Sequence, residues 1–159
     1  MTETATLAGG CFWGVEELLR KLPGVVDTSV GYAGGTLKNP RYEDVKTGRT
    51  GHAESLQIVF DPSKLSYDTI LDHFFRLHDP TTKDRQGNDV GSQYRSAIFF
   101  HDDAQRDAAE RAVKRAQEKW PRPITTQIVP FTEFWEAEDY HQDYLQRYPN
   151  GYTCHYYRS

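Results

Sequence analysis

The sequence has none of the marks of a membrane-inserted or secreted protein. No apolar run approaches the ~20 residues that a transmembrane helix needs. The start of the chain, Met1-Thr2-Glu3-Thr4, carries a carboxylate where a signal peptide would carry lysine or arginine. Two cysteines are also too few for a disulfide-stapled secreted scaffold. We therefore expect a cytoplasmic protein without a membrane partner.

Basic charge and metal-ligand spacing are also scarce. The 19 lysines and arginines are outnumbered by 23 aspartates and glutamates, so the chain has no general attraction for nucleic acid. No CxxC, HxxxH or HExxH spacing occurs, although zinc sites usually show such close ligand pairs. We expect no nucleic-acid partner and no metal.

What the sequence does have is material for one core. Its 159 residues are the length of an ordinary domain, and 13% of them are aromatic, with ten tyrosines. No repeat, low-complexity tract or linker divides the chain. We expect residues 1–159 to form a single domain, in which 149–159 is an irregular and mobile tail that begins Pro-Asn-Gly.

Hydrophobic periodicity predicts a mixed α+β fold. Apolar alternation and turn signals predict strands over 4–8, 25–32, 53–60, 94–100 and 125–129. Apolar spacing of three and four residues predicts helices over 15–22, 66–77, 108–116 and 133–148. The first six elements run β-α-β-β-α-β, which is the order of a split βαβ unit. We predict a two-layer sandwich with this ferredoxin-like core, extended by further helices and the irregular tail.

Cys11 lies between the first strand and the first helix, in Gly9-Gly10-Cys11-Phe12-Trp13-Gly14. At a helix start, free N–H groups and the helix dipole favour a thiolate, which predicts a depressed pKa and a nucleophile. The glycines let a substrate approach the backbone, and Phe12 and Trp13 offer an apolar wall. The alternative is a buried strand-to-helix corner with no chemistry.

Glu54 stands out because the alternation over 53–60 places it on the same face as Leu56, Ile58 and Phe60. A carboxyl at the end of an apolar face loses hydration, which raises its pKa and lets it donate a proton near neutral pH. A carboxylate that reaches water from the mouth of the strand fits the sequence equally well.

Three further side chains are candidates for chemistry. Tyr42 and Tyr94 each lie near the edge of a polar loop, where a phenol hydroxyl could bond a substrate oxygen, although packing explains most tyrosines. Cys154 lies five residues from the end, where a thiol on a mobile tail could act as a resolving cysteine. An unreactive tail cysteine is the alternative.

Six blocks of sequence, in order over most of the chain, form a specific set of motifs. Five of them accompany the block around Cys11: Gly31-Tyr32-Ala33-Gly34-Gly35, Pro40-Arg41-Tyr42-Glu43-Asp44-Val45, Gly51-His52-Ala53-Glu54, Asp89-Val90-Gly91-Ser92-Gln93-Tyr94-Arg95-Ser96 and Glu138-Asp139-Tyr140-His141-Gln142-Asp143-Tyr144-Leu145. Together they resemble the peptide methionine sulfoxide reductase A family.

The resemblance implies roles for the residues around the first motif. It implies Cys11 as the nucleophile, and Phe12 and Trp13 as the apolar box that holds the S-methyl group. It implies Glu54 as the acid that protonates the sulfoxide oxygen.

The remaining matches imply an oxygen site and a second thiol. Tyr42 and Tyr94 match hydroxyls that bind the oxygen, and Asp89 matches a polar residue near it. Cys154 matches the resolving cysteine. Because this tail is short and carries one cysteine, a two-cysteine cycle is implied.

The activity that the resemblance implies is protein repair by a single catalytic domain. Nothing in the sequence demands an oligomer, and we expect a monomer. The substrate is the S epimer of methionine sulfoxide, protein-bound or free. Reduction passes through a cysteine sulfenic acid and an intramolecular disulfide, which a thioredoxin-like dithiol reopens. No metal or organic cofactor is implied.

Two other functions stay open on the sequence. A cysteine hydrolase would need a histidine roughly 130–150 residues after Cys11, and His141 falls in that range with Asn150 beyond it. A redox-sensing or peptide-binding module would use tyrosine- and tryptophan-rich surfaces and form a disulfide without consuming a sulfoxide.

Overall fold

The computed structural model describes residues 1–158. Within them the strands are β1 Glu3–Gly9, β2 Val25–Ala33, β3 Ala53–Phe60, β4 Arg85–Gln86, β5 Asp89–Val90, β6 Ser96–Phe100, β7 Gln127–Pro130 and β8 Phe134–Glu136. The α-helices are α1 Phe12–Leu19, α2 Tyr42–Val45, α3 Tyr67–Leu77, α4 Asp103–Gln117 and α5 Tyr144–Arg147. Single 3-10 turns lie at Ser92–Tyr94 and Asp139–His141.

Six of these strands form one sheet in the order β7-β6-β1-β3-β2-β8. The central four are antiparallel neighbours, so β1 runs parallel to β2 across β3, and β3 runs parallel to β6 across β1. Helix α1 connects the first pair and α3 the second, which gives two interleaved βαβ units. The predicted α+β fold with a ferredoxin-like core is confirmed.

The two crossover helices cover the apolar face of the sheet. Ser66 caps the N-terminus of α3, and its Oγ accepts a hydrogen bond from the Thr69 N–H at 3.1 Å. One side of α3, including Ile70 and Phe74, is then buried in the same core as Ile58 of β3. Burial of each such side chain contributes roughly 1.5–3 kcal/mol.

A third connection extends the sheet at the β6 edge. Asp102 caps α4, with its Oδ1 accepting from the Gln105 N–H at 2.8 Å. Small buried residues on α4, such as Ala109 and Ala112, let it pack closely. The chain then returns as β7, parallel to β6. No helix within residues 1–158 is long and apolar enough to cross a membrane.

The prediction of one helix over 133–148 is wrong. The segment instead forms β8, which pairs with β2, followed by a 3-10 turn and the single turn of α5. Asp143 has a φ of 54°, a left-handed conformation that a continuous right-handed helix does not contain. The structure of this segment is set by contacts with distant elements, and hydrophobic periodicity along the sequence does not report such contacts.

Candidate active site

A cavity of about 80 Å³ lies where the end of β1, the start of α1 and the start of β3 meet. Its lining consists of Cys11, Phe12, Trp13, Tyr42, Glu54, Asp89, Tyr94 and Tyr152. The fold therefore collects in one place seven of the eight side chains that the sequence singled out. The eighth, Cys154, lies beside the cavity, and Tyr152 joins the lining from the same tail.

Cys11 is placed by the turn that joins β1 to α1. Gly10 has a φ of 100°, a conformation that glycine adopts without strain, and this turn puts Cys11 at the N-cap of α1. The Cys11 residue is only 8% exposed. A sulfur in this position faces the cavity lining and little solvent.

The prediction of a depressed Cys11 pKa is wrong. Burial raises the pKa of the Cys11 thiol well above its ordinary value, and the neighbouring Glu54 carboxyl raises it further. The Trp13 backbone N–H acts in the opposite direction. The helix N-terminus favours the thiolate, but desolvation outweighs it, so Cys11 is a protonated thiol at neutral pH.

Glu54 is a buried acid beside this thiol. Its residue is 2% exposed, and its Oε1 accepts a hydrogen bond from the Phe12 backbone N–H at 3.2 Å. Burial raises the pKa of Glu54 to about 8 despite this hydrogen bond, and Asp89 adds to the rise. Glu54 is therefore largely protonated at neutral pH, as its position on the strand face predicts.

Two phenols line the same cavity. Tyr42 is the first residue of α2, and Tyr94 is the last of the 3-10 turn before β6. Burial raises the pKa of Tyr42 to about 12 and also raises that of Tyr94. Both hydroxyls consequently keep their protons and can donate hydrogen bonds to an oxygen.

A carboxylate outside the cavity holds Tyr42 in place. Glu138 Oε2 accepts from the Tyr42 backbone N–H at 3.0 Å, while its Oε1 accepts from the Tyr32 hydroxyl at 2.9 Å. Tyr32 lies on β2, so this one side chain ties the start of α2 to the sheet.

The apolar wall of Phe12 and Trp13 is supported by residues of the segment 138–145, on the side away from the cavity. Trp13 Nε1–H donates to His141 Nδ1 at 3.0 Å, and the His141 ring also lies 5.1 Å from Phe12 and 4.7 Å from Tyr42, between centroids. Tyr144 stacks on the indole of Trp13. Phe12 and Trp13 thus form a supported apolar surface next to Cys11.

Several site residues escape the sequence reasoning. Tyr152 lines the cavity, and Glu138, His141 and Tyr144 support it. A helix over 133–148 gives no basis for the contacts of Glu138, His141 and Tyr144. The signal that could have found these three is the motif from Glu138 to Leu145, to which Tyr152 does not belong.

Asp89 connects the cavity to the second thiol. Its Oδ2 accepts from the Tyr152 hydroxyl at 3.1 Å and lies 3.9 Å from Cys154 Sγ. Cys154 Sγ is also 3.8 Å from the Gln86 carbonyl oxygen. Both cysteines are free thiols, and Cys154 is half-buried. Within residues 1–158, no three His, Cys, Asp or Glu side chains are grouped to hold a metal ion.

Comparison with known proteins shows to which family the chain belongs. The family model for peptide methionine sulfoxide reductase matches residues 3–159. The chain belongs to this family. Peptide methionine sulfoxide reductase MsrA of Nocardia farcinica is 56% identical over 98% of this chain and 92% of its own length. The corresponding protein of Mycolicibacterium paratuberculosis is 55% identical over 99% and 91%.

Solved structures agree with the sequence relatives. The reduced form of Mxr1 from Saccharomyces cerevisiae superposes with a TM-score of 0.95 at 42% identity, over 99% of this chain and 93% of that one. Mxr1 in complex with Trx2 matches with a TM-score of 0.69 at 32% identity, over 99% and 91%. The protein is therefore an oxidoreductase of protein repair that reduces methionine sulfoxide with a thiol, and the hydrolase and binding-module alternatives fall away.

Proposed function

We propose that this reductase acts on the S epimer of methionine sulfoxide, protein-bound or free, through a Cys11 sulfenic acid and a Cys11–Cys154 disulfide. The observation that carries the proposal is that the Cys11 thiol and the protonated Glu54 line one cavity of about 80 Å³. A nucleophile and an acid in one small cavity are what the reduction of a sulfoxide requires.

In the first step, the Cys11 sulfur attacks the sulfoxide sulfur while Glu54 gives its proton to the oxygen. Tyr42 and Tyr94 hydroxyls stabilise the charge that develops there. The Glu54 carboxylate takes up the thiol proton. The attack forms an S–S bond, which breaks as the hydroxyl moves from the substrate sulfur to Cys11, so methionine leaves reduced and Cys11 becomes a sulfenic acid.

In the second step, the Cys154 sulfur attacks the sulfenic sulfur of Cys11. The hydroxyl leaves with the Cys154 proton as water, and the disulfide forms. A dithiol then reopens it by exchange. The complex of the related Mxr1 with Trx2 supports a thioredoxin as that dithiol.

Selection of one epimer follows from the three directions that the cavity offers. The methyl group faces Phe12 and Trp13, the oxygen faces Glu54 and the tyrosines, and Cys11 approaches the sulfur from a third side. We propose that only the S arrangement satisfies all three together. We propose further that residues 1–159 act as a single catalytic domain and as a monomer, since the side chains assigned to each step all belong to this chain.

The test is a single turnover without added reductant. Pre-reduced protein is mixed with the S or R sulfoxide of a blocked methionine, and methionine and free thiols are counted. We expect two thiols lost per methionine with the S epimer only. Cys154→Ser should lose one thiol and Cys11→Ser none, with no methionine formed. Equal turnover of the R epimer, or methionine release by Cys11→Ser, refutes the proposal.

A further inference from the structure

The residue after Cys154 is buried under the loop that carries Cys11. His155 is 6% exposed, and its Nε2–H donates to the Gly9 carbonyl oxygen at 2.6 Å. Burial lowers the pKa of His155 to about 4, so the imidazole is neutral at physiological pH. With the proton on Nε2, Nδ1 is left as an acceptor.

Gly14 leaves a slot for this ring. A Cβ on Gly14 would overlap both His155 Nδ1 and the Thr153 hydroxyl. Gly14 lies inside α1, where alanine would be favoured by roughly 1 kcal/mol. The tail, rather than the helix, therefore accounts for glycine at this position.

The anchored ring fixes where the neighbouring thiol lies. His155 Nδ1 is 3.9 Å from Cys154 Sγ, and Asp89 Oδ2 is 3.9 Å from the same sulfur on the cavity side. Thr153 Oγ1 accepts from the His155 backbone N–H at 3.1 Å and stiffens the connection. Cys154 is thus held between a buried anchor and a residue that lines the Cys11 cavity.

We infer that His155 is a positioning residue for the resolving step, anchoring the tail so that the Cys154 thiol stays beside Cys11. The inference rests on the two-cysteine cycle proposed above. A thiol on an anchored tail has a high effective concentration at the sulfenic acid, and loss of the anchor lowers it. His155 is outside the cavity lining and moves no proton in the proposed first step, so we expect its loss to slow the second step selectively.

Two substitutions of His155 test this in single turnover, with methionine release and thiol loss followed separately by rapid quench. His155→Ala removes the anchor, and we expect disulfide formation to slow roughly 10- to 100-fold while methionine release stays within about twofold. His155→Gln keeps an N–H that can reach the Gly9 oxygen, and we expect it to restore most of the lost rate.

Gly14→Ala fills the slot with a methyl group while every residue of the tail stays as it is. It should displace the His155 ring and slow disulfide formation as His155→Ala does. His101→Gln is the matched control, because His101 bonds the Thr6 hydroxyl and stacks on Phe131 instead of contacting the tail. This control should keep both rates.

Different results would contradict the positioning role of His155 and the two-cysteine cycle itself. Disulfide formation that is unchanged or faster in His155→Ala and in Gly14→Ala overturns the positioning role. An equal fall in methionine release and in disulfide formation in His155→Ala also overturns it, because the His155 ring would then support the fold as a whole. If the wild type releases methionine without losing a second thiol, the two-cysteine cycle itself has failed.

Discussion

The indole ring of Trp13 and the phenol ring of Tyr144 lie face to face, with centroids 3.8 Å apart and planes 10° apart. Trp13 lines the cavity, whereas Tyr144 begins α5 and lies behind it. The apolar wall is therefore held by an element more than a hundred residues away in the sequence.

Removal of this stack should weaken substrate binding more than chemistry. We expect Tyr144→Ala to raise the KM for methionine sulfoxide roughly 3- to 10-fold, since an aromatic pair contributes about 1 kcal/mol. The kcat should fall less, because Cys11 and Glu54 are untouched. Steady-state kinetics with a saturating reductant measures both, and Tyr144→Phe, which keeps the ring, should match the wild type. An unchanged KM in Tyr144→Ala would contradict this role.

The rate of methionine release should depend on pH through Glu54. Since burial raises the pKa of Glu54 to about 8, the acid is present below that pH and is lost above it. We expect the single-turnover rate to be level at pH 6–7 and to fall as pH rises through about 8.

Glu54→Gln should slow methionine release by at least roughly 100-fold and should remove the fall near pH 8. The amide keeps the shape of the side chain and its carbonyl oxygen for the Phe12 N–H, but it cannot donate an acidic proton. A fall with the same midpoint in Glu54→Gln would assign the titration to another group of the cavity.

A second buried carboxyl should affect stability. Glu16 on α1 is 1% exposed, and its oxygens accept from the Asp143 backbone N–H at 2.8 Å and the Thr28 hydroxyl at 2.9 Å. Burial raises the pKa of Glu16 from 4.5 to about 7. The folded state therefore binds this proton more tightly than the unfolded state, so the free energy of unfolding falls as pH rises from about 4.5 to 7.

Glu16→Gln should remove that dependence. We expect the wild type to lose roughly 1–3 kcal/mol more than the variant between pH 5 and pH 8, because only the wild type must ionise a buried carboxyl. Urea unfolding at the two pH values measures the difference, and Glu17→Gln on the same helix serves as the control. Identical slopes for wild type and Glu16→Gln would show that Glu16 titrates normally.

Local patterns in the sequence predict those parts of the site that depend on one element. Alternation along β3 places Glu54 on the buried face, and burial is the main cause of its raised pKa. The helix stripe of α1 likewise places Cys11 at a helix start. In both cases a short-range period decides the geometry.

The parts that the sequence does not predict depend on distant elements. The Cys11 pKa is set by a balance between the helix N-terminus, which is local, and burial beside Glu54, which comes from another strand. Glu138 and His141 acquire their roles only through bonds to Tyr42 and Trp13. Hydrophobic periodicity along the sequence does not show which distant residues will contact each other.

The size of the cavity has a consequence for how widely this enzyme works. A space of about 80 Å³ is far below the roughly 300–1,000 Å³ of pockets that enclose whole ligands. It can admit the oxidised tip of a side chain, whereas the polypeptide that carries the tip must stay outside. We therefore expect the enzyme to contact only the oxidised tip of a side chain and to act on it in many sequence contexts. A methionine sulfoxide that is buried inside a folded protein should not enter the cavity and should not be reduced.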